Sequence, residues 1–265
     1  MAAVSEPASR DEVDRHIHGS GTLEATWRAW DGLSQLAPLT LDELVPPGSR
    51  AVVVAPHPDD EVLGCGGALT MLARAGRDVL VIGLTDGEAS HPGSARWPPE
   101  RLGARRCEER LEGLRRLGVT SQPSSLFVPD GGVLAAESRL PEAIDELLLA
   151  GDVVITTWRL DGHPDHEAAG RASALAARRR GCRCWEMPVW TWHWARPDEA
   201  RVPWRHMRRL ELDDRAVQAK RQAIAAHTSQ VRPVAEENRP AVLPDWALAR
   251  LMRTFETFID SEATA

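Results

Sequence analysis

Two apolar, β-branched runs, AVVVAP at 51–56 and DVLVIGLT at 78–85, flank a helical pattern over 64–75. Runs that stay apolar at successive positions suit strands covered on both faces, and a strand, helix, strand order suits parallel pairing. The alternation continues. An arginine- and glutamate-rich amphipathic helix is predicted over 100–117, a third strand at SLFVP (125–129), a helix over 137–149, a fourth strand at DVVITTW (152–158) and a helix over 163–180. Such a chain forms a layered α/β structure, and ligands in these folds gather at the carboxyl ends of the strands.

At 265 residues, 43% hydrophobic and 27% charged, the chain can bury one sizeable core. The expected fold class is therefore α/β: a Rossmann-like, doubly wound, mostly parallel sheet with helices on both faces. Residues 1–49, with a short helix over 23–36, read as an N-terminal arm docked on a single domain spanning 50–265. In the C-terminal third, 184–195 reads as a strand, 213–227 as a helix and 246–259 as a closing helix. A formal charge of −7 is the wrong sign for binding that rests on neutralising phosphates, so no nucleic-acid partner is expected. Cys65, Cys107, Cys182 and Cys184 form no CxxC pair, the first twenty residues carry no apolar leader, and no stretch approaches the ~18 apolar residues of a membrane span. The expected setting is cytoplasmic, with reduced thiols. The chain has no tyrosine, which removes one common catalytic acid.

The first strand ends in Pro56-His57-Pro58-Asp59-Asp60-Glu61, followed by Gly64-Cys65-Gly66-Gly67. The glycines do not follow GxGxxG, and carboxylates stand where a pyrophosphate would rest, so phosphate binding is disfavoured. Imidazole and carboxylate three positions apart in a proline-containing turn suit a divalent metal, most often zinc. Asp161-Gly162-His163-Pro164-Asp165-His166-Glu167 follows the fourth strand and opens a helix, with two histidines at i and i+3 on one face. An acidic, capped helix start explains either cluster alone. Two clusters, each at a strand end of one sheet, point to a metal site.

APHPDDEVLGCGG with DGHPDH about a hundred residues later resembles the PIG-L/LmbE family of zinc-dependent N-deacetylases. Weaker similarities, at Asp86-Gly87-Glu88, Arg106 with Glu109, Pro129-Asp130-Gly131, Lys220 and Ser229-Gln230, extend the resemblance over roughly 50–230. It implies that His57, Asp60 and His166 bind Zn2+, with Fe2+ or another divalent ion able to take the same place. It makes Asp59 the general base and His163 the residue that stabilises or protonates the tetrahedral intermediate, as a cation if charged. Three protein ligands leave a position for water, whose pKa such a metal lowers toward ~7. Some members place a tyrosine close to the position of Asp161; here that role is vacant, moved to His163, or unnecessary.

Glu61 reads equally as a supporting or capping carboxylate and as a catalytic one. Arg106 and Glu109 could line a substrate pocket, with an i,i+3 ion pair on a surface helix the favoured reading, and Asp86 and Glu88 read as groups for sugar hydroxyls. Five of the ten tryptophans, Trp185, Trp190, Trp192, Trp194 and Trp204, fall within twenty residues. They form either a substrate wall or, slightly favoured, a strand face packed on a helix or on a second copy of the chain, which leaves a homo-oligomer open. His193 would face the other way; His16, His18, His91, His206 and His227 receive no role.

The function this implies is metal-dependent removal of an N-acyl group, N-acetyl foremost, from a small amino sugar or glycoconjugate, releasing an amine and a carboxylate. Specificity is expected from loops 86–99 and 195–205. The rivals are a zinc amidase or esterase on a non-sugar substrate, a catalytically silent metal-binding module, and a nucleotide-binding protein.

Overall fold

The computed structural model describes Arg15, Ile17 and residues 19–262. The rest of the arm before Gly19, with His16 and His18, lies outside the described residues. The described part of the arm supplies α1 (Glu24–Arg28), β1 (Ala37–Pro38) and α2 (Leu41–Leu44). The centre runs β2 (Ala51–Ala55), α3 (Asp60–Arg74), β3 (Val79–Gly83), α4 (Pro99–Leu117), β4 (Ser124–Ser125), α5 (Val133–Ala136), α6 (Leu140–Asp145), β5 (Val153–Thr157), α7 (Pro164–Arg180) and β6 (Arg183–Met187). The last third adds α8 (Thr191–Trp194), β7 (Met207–Glu211), α9 (Asp214–Ile224), α10 (Thr228–Val231), α11 (Asp245–Leu248) and β8 (Phe255–Asp260).

The strands form one sheet in the order β1-β7-β8-β6-β5-β2-β3-β4. Every described neighbour pair is parallel except those of β8, which runs antiparallel to β6 and to β7. The fold is thus the expected mostly parallel α/β layer. From β2 the chain steps outward to β3 and β4, then returns to the other side of β2 as β5. The winding therefore reverses between β2 and β5, and the crevice beyond such a reversal is where these sheets bind ligands.

Side-chain parity explains why β2 is apolar throughout. Ala51 and Val53 join a core with α3 and α9, while Val52 and Val54 join a second core with α7, α5 and α6 on the opposite face. A third cluster, built on Trp27, Trp158 and Trp192, lies where the arm meets the turn after β6. Trp27 Nε1 donates to the carbonyl of Trp192 at 3.0 Å, and Glu24 pairs with Arg253 at 2.7 Å.

Several local expectations fail for identifiable reasons. The closing helix over 246–259 is only α11; Phe255–Asp260 inserts as β8 between β6 and β7, where Glu256 takes the ammonium of Lys220 at 2.7 Å. The strand over 184–195 stops at Met187, before Pro188, and Thr191–Trp194 coils into α8. At 125–129, Leu126 and Val128 donate to the carbonyls of Gly83 and Leu84, but Phe127 at φ 52° interrupts the strand. The helix over 137–149 shrinks to α6, which carries Pro141 in its first turn, while α5 lies just before that span. The helix over 23–36 ends at Arg28, and that over 213–227 at Ile224.

The glycine run belongs to packing. A Cβ on Gly64 would lie 2.3 Å from Met187 Sδ, so glycine lets α3 approach β6. Just beyond, α3 kinks at Cys65, and the amides of Gly67 and Ala68 donate to Glu256 at 2.8 Å each. No helix of the described residues is long and apolar enough to cross a membrane.

Candidate active site

β2 and β5 pair in parallel with Val54 opposite Thr156, so both strands end on the same side of the sheet. The turn after β2 carries His57 and Asp59 into the start of α3, which opens at Asp60. The turn after β5 carries Asp161 to His163, the N-cap of α7, with His166 in its first turn. The two sequence clusters therefore meet.

Asp60 is the hub. Its Oδ2 accepts the His57 backbone N–H at 2.9 Å and lies 3.2 Å from His57 Nδ1, while Oδ1 lies 3.3 Å from His166 Nε2. His57 Nε2 lies 3.2 Å from both Asp130 Oδ1 and Asp165 Oδ2. Asp165 is fixed by the amides of Gly131 (2.8 Å) and Val133 (3.1 Å). His166, fully buried, has Nδ1 at 2.8 Å from Asp161 Oδ2. His163 Nδ1 accepts the amide of Asp165 at 3.2 Å, and its ring centroid lies 5.0 Å from that of His57 and 4.9 Å from that of His166.

These neighbours set the protonation of the metal-free site. Burial lowers His57, but Asp130, Asp165 and Asp60 outweigh it and hold the imidazole well above its usual value. His166 rises to about 9: burial opposes charging, and Asp60 and Asp161 prevail. Asp60 goes the other way, well below the ordinary carboxylate range, because His166 and His57 outweigh its burial. His163 falls to about 3 through burial and then the charges of His166 and His57, which favours the neutral imidazole in the metal-free site.

Ligand atoms of His57, Asp60 and His166 lie within 4.8 Å of one another, and so do those of His57, His163 and Asp165. The first set fits a metal better. His166 Nε2 is buried without a hydrogen-bond partner, whereas His163 Nδ1 and both Asp165 oxygens already hold backbone amides. Two imidazoles and a carboxylate, one imidazole backed by a second carboxylate, match the donor set of zinc-class ions.

A cavity of about 340 Å³ opens over these groups, with Asp59, Arg106 and Asp130 on its polar side and Leu63, Trp190, Val242 and Leu243 on its apolar side. Ser90 and Gln230 also line it, joined by a 3.2 Å hydrogen bond. Arg106, 3% exposed, donates to Asp59 Oδ2 at 3.0 Å and to the Gly87 carbonyl at 2.8 Å, so the surface ion pair expected with Glu109 does not form. Glu109 instead accepts from the amide and hydroxyl of Ser229 at 2.9 and 2.6 Å, because α10 covers that face of α4. Glu61, fully buried, pairs with Arg110 at 3.1 Å behind the site.

Other expectations change. Asp86 and Glu88 line a separate cavity of about 280 Å³; Glu88 Oε1 accepts the Asp130 amide at 2.9 Å. Loop 195–205 does not reach the pocket, which takes Trp190, Gln230, Val242 and Leu243 instead. Trp192 and Trp194 point away: Trp192 meets Trp27 edge-on at 5.2 Å and Trp194 stacks on Trp158 at 6.4 Å. His193 lies 3.0 Å, through Nδ1, from Arg250, outside the pocket, and Lys220 is held by Glu256. Sequence reasoning gave no role to Asp130, Asp161 or Asp165. Asp161 and Asp165 stood inside a recognised motif, and that proximity was the available signal.

A family model described as "PIG-L: GlcNAc-PI de-N-acetylase" matches residues 52–177. A 1D-myo-inositol 2-acetamido-2-deoxy-alpha-D-glucopyranoside deacetylase of Corynebacterium efficiens is 29% identical over 230 residues, covering 69% of this chain and 73% of that protein. The protein of the same name from Mycobacterium sp. (strain KMS) is 31% identical over 178 residues, and there the chain spans only 56% of the relative's length and 57% of its own. Among solved structures, the A40926 pseudoaglycone deacetylase Dbv21 is 26% identical with a TM-score of 0.57, over 80% of this chain and 96% of that one. The matched segment contains β2, α3, β5 and most of α7, the elements that carry both clusters, so the similarity to PIG-L N-deacetylases rests on the part of the chain that forms the site.

Proposed function

We propose that the chain is a zinc-dependent hydrolase that removes an N-acyl group, N-acetyl foremost, from an amino sugar or glycoconjugate. The observation that carries this reading is the convergence of His57, Asp60 and His166, the first two lining the pocket, with His166 Nε2 buried and otherwise unpartnered. The three would hold the ion; Zn2+ suits the donor set, with Fe2+ its rival. When bound, the ion supplies Lewis acidity, polarising the amide carbonyl and making a water easier to deprotonate.

The remaining work falls to side chains. Arg106 engages Asp59 Oδ2, orienting that carboxylate over the pocket to take a proton from the attacking water. The water oxygen bonds to the acyl carbon as the carbonyl becomes an oxyanion. His163 accepts an amide at Nδ1, so its neutral ring carries the proton on Nε2 and donates a hydrogen bond to that oxyanion. Asp59 then returns its proton to the nitrogen as the C–N bond breaks, leaving an amine and a carboxylate. Ser90, Gln230 and Asp130 offer hydrogen-bonding groups for a sugar ring, and the names of the relatives support an acetamido sugar. No tyrosine is required by this scheme.

The test is amine release from a panel of N-acetylated amino sugars beside ester and peptide substrates, with metal stripped and restored. Amine release from the sugars, lost on stripping and regained with zinc, is expected. Turnover confined to esters or peptides, or unaffected by stripping, contradicts the reading.

A further inference from the structure

Asp161 is fully buried, and five donors converge on its carboxylate. Oδ1 accepts from the amides of Val189 (3.0 Å) and Thr191 (2.9 Å) and from the Thr191 hydroxyl (2.5 Å). Oδ2 accepts from the amide of Trp190 at 2.9 Å and lies 2.8 Å from His166 Nδ1. Four of the five come from the single turn between β6 and α8; the fifth belongs to a metal ligand. The residue's own backbone is pinned as well, its N–H donating to the Trp158 carbonyl at 3.0 Å and its carbonyl accepting Trp194 Nε1 at 2.8 Å.

We propose that Asp161 is the positioning residue of the metal site: one carboxylate holds His166 in the tautomer that leaves Nε2 to bind the ion, and holds the turn that sets Trp190 against the pocket. This rests on the ligand set proposed above. An ionised carboxylate only accepts hydrogen bonds, so the His166 nitrogen 2.8 Å away is the donor and carries a proton. The ligand lone pair is then on Nε2, which faces Asp60 and has no hydrogen-bond partner. Three successive amides around the other lone pairs keep the carboxylate from turning.

The arrangement also dictates how an amide would fail. With its nitrogen at the Oδ1 position, asparagine would confront the amides of Val189 and Thr191, neither of which can turn round to accept. At the Oδ2 position it confronts only the Trp190 amide and an imidazole whose proton can move. The amide nitrogen therefore settles toward His166, donates to Nδ1 and drives the ring proton onto Nε2, the atom the metal needs.

The experiment titrates metal-stripped Asp161→Asn with Zn2+ against a chelator, and with Co2+ followed by its visible spectrum. Zinc affinity is expected to fall by roughly 10- to 100-fold, the usual cost of losing such a partner, with an altered Co2+ spectrum. Thr191→Val, which removes one donor from Oδ1 without touching His166, should lower the melting temperature but keep the parental zinc affinity. If Asp161→Asn binds zinc as tightly as the parent and merely melts earlier, the carboxylate is structural and the proposal falls. His166→Ala in the same titration separates the two layers: parental affinity there overturns the ligand set, whereas loss there with retention in Asp161→Asn overturns only this inference. A readout that needs no variant is the 15N spectrum of histidine-labelled, zinc-loaded parent protein, which should show the His166 proton on Nδ1; a proton on Nε2 contradicts the proposal.

Discussion

β2, β5 and β6 run parallel side by side, yet the turns that follow them do different work. After β2 and β5 the chain passes within a few residues into α3 and α7, and the polar groups of both turns stand over the sheet's end. After β6 the turn is drawn onto Asp161 and covered by the arm. Of its tryptophans, Trp190 reaches the pocket while Trp192 and Trp194 are taken into the third apolar cluster. Position at a strand end thus makes a residue available to a site; what then packs over the turn decides whether it serves there.

The contrast can be broken most sharply at its tryptophans. Trp192 is 3% exposed and holds Trp27 edge-on, so Trp192→Ala should cost roughly 3–5 kcal/mol, read by denaturant unfolding, with metal content unchanged. Trp190→Ala, on the half-buried pocket wall, should instead raise KM with a much smaller loss of stability. A Trp192→Ala protein that unfolds at the parental denaturant concentration, or a Trp190→Ala protein with parental KM, would dissolve the distinction.

A smaller effect separates the metal-free site from the loaded one. His166 is raised from 6.5 to about 9 when no metal is present. A group whose folded value lies above its unfolded value stabilises fully below the unfolded value and ceases to do so as pH rises through the folded one. The stripped protein should therefore lose stability between about pH 6.5 and 9 through this group. A bound metal must displace the proton on His166 Nε2, so affinity rises over the same window and zinc uptake releases protons. Melting curves of stripped and loaded protein across that range, with a pH indicator during titration, check the sign. A stripped protein that gains stability through the window, or zinc uptake without proton release, runs against it.

The central strands and helices were legible because burial on both faces leaves β2 wholly apolar and β5 with nothing more polar than threonine, and α4 and α7 are long enough to show their period. β8 was not, because a six-residue strand after a helical-looking 246–254 differs from a continuing helix only by the slot between β6 and β7 that receives it. The meeting of the two polar clusters was legible because each follows a central strand; the choice of His57, Asp60 and His166 within them came from the family resemblance and is part of the proposal. The favoured pairing of Arg106 with Glu109 failed, though its place in the pocket lining was one of the readings, because its partner Asp59 lies 47 residues away and only the packing of α4 on α3 reveals the pair. Asp161 offered only its place inside a recognised motif: the amides that define it belong to residues 189–191.

The account stands on the different work given to two adjacent carboxylates, Asp59 held by Arg106 and Asp60 held between two imidazoles. Measuring zinc content and amine release together in Asp59→Asn and Asp60→Ala tests it directly. Asp59→Asn should retain zinc while turnover falls by roughly 10²- to 10⁴-fold, without rescue by added metal. Asp60→Ala should lose zinc and recover part of its activity when zinc is supplied in excess. Near-parental turnover in Asp59→Asn, or parental zinc affinity in Asp60→Ala, would contradict the division of roles.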